Sequence, residues 1–160
     1  MTKVAILGYG VVGSGVGDML TKNAGIIAAA AGREVKLAYV VELRDVAVPA
    51  GATLTKRFED VLDDPDVRIV VETIGGARAA ADLTRRALMS GRHVVTSNKE
   101  LVAGYGDELI RLARQHGVMY LFEASVGGGI PILRPIAQCL AGNRLTGIDG
   151  IVNGSTNYLL

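Results

Sequence analysis

Tryptophan is absent, cysteine occurs once, proline occurs four times, and aromatic side chains make up 4% of the 160 residues. So few rings build no stacking platform for single-stranded nucleic acid. The lone thiol, Cys139, can form neither an internal disulfide nor a thiolate metal site. A reducing, cytoplasmic setting fits that usage. Charge of one sign is missing too: 17 Lys and Arg stand against 16 Asp and Glu, a net +1. That balance gives no field to draw in a nucleic-acid backbone or an acidic membrane surface. No apolar run nears the ~20 residues of a membrane-spanning helix. Met1-Thr2-Lys3 leads straight into a strand pattern, which leaves no room for a signal peptide. The partner expected is a small molecule, with no nucleic acid and no membrane.

What is present is 49% apolar residues, 21% charged residues and 21 glycines. That composition is globular, and the length suits one domain or one and a fraction. Glycine at about twice its usual frequency points to tight turns and close backbone approach.

Val4-Ala5-Ile6-Leu7 reads as a strand buried on both faces. From Val11 to Ala31 the spacing predicts one helix, with Val12, Val16, Met19 and Leu20 on its inner face and Gly32 closing it. Val35–Val41 is a second strand. Leu43–Thr55, with Pro49 and Gly51, reads as a loop, and Phe58–Leu62 as a short helix. Asp63-Asp64-Pro65-Asp66 is a turn. Arg68–Glu72 and His93–Thr96 are strands flanking an alanine-rich helix over Ala77–Met89. A helix over Asp107–His116 places Leu109, Leu112 and Ala113 inward, and a fifth strand runs from Val118 to Phe122. Ile130–Leu140 reads as a helix, and Leu145–Val152 as a half-exposed strand. Alternation of strand and helix predicts an α/β fold: a Rossmann-type, doubly wound, mainly parallel sheet with helices on both faces.

Gly8-Tyr9-Gly10-Val11-Val12-Gly13 fits G-x-G-x-x-G between a predicted strand and a predicted helix. Gly8 permits the tight turn, Gly10 lets the backbone approach a pyrophosphate, and Gly13 lets the helix pack close to the strand. Val11 and Val12 belong to the first turn, whose free N–H groups suit a phosphate. Glu42 ends the second strand, where a carboxylate can accept hydrogen bonds from a ribose 2′-OH and favour NAD. Arg44 could hold a 2′-phosphate instead, so the choice between NAD and NADP stays open. A solvated Glu/Arg pair is the plainer reading of those two residues.

Lys99 follows the fourth strand, at the edge where open parallel sheets bind ligands. It could donate to a substrate oxygen or move a proton, or simply be an exposed lysine at a helix start. Glu123 precedes Gly127-Gly128-Gly129, and carbonyls with one carboxylate suit a hard cation. From spacing alone, a glycine turn into a helix is the simpler reading. Cys139 sits in an apolar helical pattern and reads as a buried hydrophobe. His93 and His116 stand alone, and neither is a convincing general base. Ser155-Thr156-Asn157 resembles a helix N-cap, with Tyr158-Leu159-Leu160 opening an apolar face. A chain that stops there is expected to be a piece of a longer one.

The sequence closely resembles the N-terminal part of homoserine dehydrogenases. The resemblance rests on Leu7–Gly13, Glu72-Thr73-Ile74-Gly75-Gly76, Thr96-Ser97-Asn98-Lys99, the stretch Glu123–Leu133, and Asn153–Tyr158. Together these span nearly the whole chain, in order. The resemblance implies a dinucleotide-binding domain over residues 1–142, with residues 143–160 starting a catalytic domain whose remainder is absent. It implies interconversion of L-homoserine and L-aspartate 4-semialdehyde with NAD or NADP, in threonine and methionine biosynthesis. Ile74 and Gly75 would border the cofactor, and Lys99 would lie near both nicotinamide and substrate. Asn153 and Gly154 would lie by the substrate, where the two domains meet. Glu123, with the carbonyls of Val126, Gly128 and Ile130, would hold a monovalent cation such as sodium. The full-length parent would be a homodimer, and this piece alone would bind cofactor without turnover. A dinucleotide-sensing module without catalysis is the alternative, since it needs the glycine turn but not Lys99. A thiol-dependent semialdehyde dehydrogenase is disfavoured, because its cysteine would belong in a loop at the sheet edge and not in a helix.

Overall fold

The first apolar run forms the middle of the sheet in the computed structural model, which describes residues 1–150. Strand β1 (Thr2–Leu7) is flanked by β2 (Val35–Val41) and β4 (Val67–Glu72). With β3 (Thr53–Thr55), β5 (His93–Thr96) and β6 (Tyr120–Leu121), the order is β3-β2-β1-β4-β5-β6, every pairing parallel. The chain therefore winds outward from β1 in one direction and then returns to wind outward from β4 in the other. Right-handed crossovers in opposite directions put helices on opposite faces. Ile6 packs with Leu37, Val40, Val16 and Leu20 on one face, while Ala5 and Leu7 belong to the larger core on the other. Such alternation along a strand buried on both faces explains why Val4–Leu7 is uniformly apolar. The Rossmann-type sheet expected from the alternating pattern is the sheet observed.

Several elements differ from expectation. The first helix is two: α1 (Val11–Lys22) and α2 (Ala24–Ala31), broken at Asn23. The Thr21 hydroxyl bonds back to the Gly17 carbonyl, a contact that bends helices just before such a break. The inner face of α1 also differs. Val12 and Met19 are exposed, and the face against the sheet is Gly13, Val16, Gly17 and Leu20. Glycines bring this helix closer than side chains would allow. The Leu43–Thr55 loop contains β3, whose three residues pair with Tyr39–Val41. Beyond the short α3 (Glu59–Leu62) lies α4 (Arg78–Met89), close to expectation.

The next helix, α5 (Lys99–Gln115), begins eight residues earlier than expected. Gly104 and Gly106 interrupt its apolar spacing, but the Asn98 side chain caps the true start by accepting from the Leu101 N–H at 3.0 Å. Leu109 and Ala113 are buried and Leu112 packs against the core, as the spacing predicts. Strand β6 is shorter than expected. After it, the helix anticipated over Ile130–Leu140 is mostly a π-helical turn at Pro135–Cys139. Pro135, which donates no hydrogen bond, stands at its first position. No strand forms over 145–150, and residues 151–152 lie outside the described residues. So do Asn153, Gly154 and the cap-like Ser155–Leu160.

Candidate dinucleotide site

Leu7 ends β1, and the chain turns at once. Gly8 adopts φ +83°, a left-handed conformation that a side chain would strain. Its N–H stays bound to the Val41 carbonyl, so the turn is anchored to β2. Gly10 is the N-cap residue of α1 and contributes no capping side chain, leaving the first-turn N–H groups of Val11, Val12 and Gly13 free for a ligand. A Cβ built on Gly10 meets nothing within 4 Å, so the space above the turn is open. A Cβ on Gly13 would instead strike the Gly8 carbonyl and the Thr73 hydroxyl. Thr73 ties the end of β4 to the turn, its hydroxyl lying 2.8 Å from the Gly8 carbonyl oxygen.

A cleft of ≈ 570 Å³ runs from this turn across the carboxyl ends of β2 and β4. That is the crevice where doubly wound sheets take their ligands. Gly8, Gly10, Glu42, Arg44, Ile74 and Gly75 all border it. Val11, Val12 and Gly13 lie in the first turn of α1 behind the glycine turn, and neither they nor Lys99 are part of the wall.

Glu42 is more than a strand-end charge. Its carboxylate accepts the Tyr9 N–H at 2.9 Å, which fixes the glycine turn from the β2 side. It also accepts the Leu43 and Arg44 amides and pairs with the Arg44 guanidinium at 2.9 Å. The Arg44 bond first, and then the Tyr9 amide, hold its carboxyl down at about 2. The solvated pair expected for these residues is half right: the Arg44 side chain is 67% exposed, but that of Glu42 is only 11%.

Among the wall residues that the sequence did not single out, three bring positive charge or a ring to the cleft. Lys56, Phe58 and Arg86 line the end of the cleft beyond Arg44. Arg86 lies over the Phe58 ring and pairs with Glu59 at 2.7 Å, while Lys56 pairs with Asp45 at 3.0 Å. Recognising β3 would have put Lys56 next to the cleft, one residue past the strand. A fourth missed residue is Glu72, wholly buried at the end of β4. Burial pushes its carboxyl up, against the Thr96 and Ile74 bonds that favour the charge. The signal was an acid closing an otherwise apolar strand.

Lys99 is the first residue of α5, exposed at the same sheet edge. Both the catalytic and the plain reading of it are compatible with that placement. The Glu123 carboxylate accepts the amides of Leu133 and Arg134 at 2.8 and 2.7 Å, and that of Ile132. These amides, Ile132 foremost, hold it below the usual carboxylate range. It thereby closes the glycine loop in which Gly127 and Gly128 take φ +68° and +61°. Val126, Gly128 and Ile130 lie along that loop. Among the described residues no cluster of three His, Cys, Asp or Glu forms.

Cys139 corrects an expectation: it is exposed, because the short helical turn that carries it does not pack into either core. The His93 ring accepts the Met119 N–H at 3.1 Å at the β5–β6 edge, and burial lowers its pKa. His116 caps the end of α5. Among the described residues no helix is long and apolar enough to cross a membrane.

Comparison with known proteins agrees with this geometry. A family profile described as "Homoserine dehydrogenase, NAD binding domain" matches residues 8–123, and one described as "Homoserine dehydrogenase" matches residues 131–160. Homoserine dehydrogenase from Synechocystis is 45% identical over 161 residues, covering 99% of this chain and 37% of the relative. The Pseudomonas aeruginosa enzyme is 42% identical over 160 residues, with the same coverage. The crystal structure of a homoserine dehydrogenase from Thiobacillus denitrificans superposes with a TM-score of 0.82 at 44% identity, over 89% of this chain and 34% of that one. The chain thus spans little more than a third of the length of the curated relatives it matches.

Proposed function

Because the chain belongs to the homoserine dehydrogenase family, we propose that it is the NAD(P)-binding portion of an enzyme interconverting L-homoserine and L-aspartate 4-semialdehyde. The whole enzyme would act in threonine and methionine biosynthesis, as a cytoplasmic homodimer. The observation that carries this reading is the left-handed turn at Gly8 opening into the cleft between β2 and β4.

The site fits a dinucleotide by its own chemistry. Open space above Gly10 admits a pyrophosphate against the free N–H groups and positive end of α1. Glu42 and Arg44 stand where the adenosine ribose would lie. The ionised carboxylate favours NAD, and the exposed guanidinium could turn to a 2′-phosphate. Ile74 and Gly75 would border the nicotinamide half. The bound dinucleotide supplies the hydride chemistry. Lys99 would donate to the carbonyl oxygen, where negative charge grows as hydride arrives, and so lower the barrier more than it aids binding. Asn153 and Gly154 would approach the substrate from the chain's last segment. The Glu123 loop, with its ionised carboxylate and neighbouring carbonyls, would hold a monovalent cation.

Two measurements test the proposal. NADH titrated into the 160-residue chain, followed by calorimetry, is expected to bind weakly, while an absorbance assay with homoserine shows no turnover. No detectable binding of NADH or NADPH would remove the reading. In an enzyme of full family length, Lys99→Ala is expected to lower kcat by roughly 10²–10⁴-fold, with Lys99→Arg rescuing little. A kcat near wild type would make Lys99 an ordinary surface lysine.

A further inference from the structure

Asn98 makes more hydrogen bonds than a helix cap needs. Its Oδ1 accepts the Leu101 N–H at 3.0 Å, which completes the cap of α5. Its Nδ2 donates to the carbonyls of Ile74 at 3.0 Å and Gly76 at 2.7 Å. Only this orientation of the carboxamide serves all three partners, so oxygen and nitrogen are assigned by the network itself. Capping uses the oxygen alone, and the two bonds from nitrogen reach across to another loop.

That loop is held from below as well. The buried Glu72 carboxylate accepts the Ile74 N–H at 2.7 Å and the Thr96 hydroxyl at 2.5 Å. The Thr96 hydroxyl oxygen in turn accepts the Asn98 N–H at 2.9 Å. The bonds therefore close a ring from the Ile74 N–H through Glu72, Thr96 and Asn98 back to the Ile74 carbonyl. Glu72 and Thr96 are 0% and 1% exposed, so that side of the ring is shielded from competing water, while the Asn98 bonds lie nearer the surface. One side of the ring is the Ile74–Gly76 turn in the cleft wall, and the other is the first turn of α5.

We propose that Asn98 is a positioning residue, whose carboxamide staples the Ile74–Gly76 turn of the dinucleotide cleft to the helix start that carries Lys99. The staple presents the turn to the ligand in one arrangement and fixes its separation from the lysine. Glu72 and Thr96 hold Asn98 in register. This rests on the cleft being a dinucleotide site.

Asn98→Asp separates the staple from the cap, because aspartate caps as well as asparagine but donates nothing to the two carbonyls. Asn98→Ser is a second capping variant that brings no new charge near Glu72. NADH affinity by calorimetry, thermal midpoint and hydrogen exchange of the 73–76 amides are measured on both variants and on wild type. The expected result is a roughly tenfold weaker Kd, the scale of about one lost hydrogen bond. Faster exchange at 73–76 should accompany it, with a midpoint close to wild type in at least one variant. Thr96→Val should weaken binding in the same direction, with Thr96→Ser restoring it. Wild-type affinity in both Asn98 variants overturns the staple while leaving the site reading intact. Affinity loss only in proportion to a fallen midpoint also overturns it, because Asn98 is then a cap alone. Failure of wild type to bind NADH overturns the site reading, and the staple with it.

Discussion

Gly10 and Gly13 stand three residues apart on one turn, and they answer to different demands. At Gly10 an added side chain meets only open space, so the folded protein has no need of glycine there. The proposed dinucleotide would need it, because its phosphate would come close to the backbone there. At Gly13 the added atom collides with the Gly8 carbonyl and the Thr73 hydroxyl. Gly10→Val is therefore expected to keep the fold and lose NADH binding. Gly13→Ala is expected to cost about 1–3 kcal/mol of stability, the usual scale of overpacking. Circular dichroism melts beside NADH titrations check both, and a Gly10→Val protein that binds like wild type would place the phosphate elsewhere. The sequence pattern named both glycines and assigned each its role, and the geometry shows what a side chain at each would meet.

Among the helices, termination was easier to read than interior burial. Gly32 ends α2 at φ +64°, with its N–H bonded to Ala29 and the next N–H, of Arg33, bonded to Ala28. That pair of bonds needs a left-handed residue at this point. Gly32→Ala is expected to destabilise by about 1 kcal/mol. The urea midpoint should fall with an unchanged slope, and a wild-type midpoint would show that the helix end frays at no cost. Gly32 was legible because its signal is local. The inner face of α1 was not, because Gly13 and Gly17 carry no hydropathy to be counted. The early start of α5 was hidden for a related reason: Gly104 and Gly106 interrupt its apolar spacing, although its Asn98 cap is local. Strand β3 was missed because three residues at a sheet edge hold too few alternations to form a pattern. The candidate site divides the same way. The glycine turn, Glu42 and the Ile74–Gly75 turn were legible, whereas Lys56, Phe58, Arg86 and buried Glu72 meet only through the fold.

At the scale of the molecule, among the described residues both cores end before residue 123, and residues 143–150 are all exposed. A dinucleotide-binding unit bounded at Gly142 should therefore stand without the residues C-terminal to it. A chain ending there is expected to melt within about 2 °C of the 160-residue chain, a shift below 1 kcal/mol, and to bind NADH equally. A large drop in midpoint would show that the last segment supports the sheet.

The central position of β1 sets a schedule for synthesis. Of the six strands it is made first, yet its second edge stays unpaired until β4 is made, a pairing that ends at Glu72, 65 residues after Leu7. At about 5–20 residues per second, the nascent chain carries an unfinished centre for roughly 3–13 s. Until β2 is made, Val4–Leu7 offers both backbone edges to a neighbouring strand, and after that the edge β4 will take. Lys3 is the one charge beside it, and the acids that pair with it, Asp64 and Asp66, arrive only with β4. Until then that unpaired ammonium acts as a gatekeeper against strand addition from another polysome-bound chain, a duty it gives up once the sheet closes.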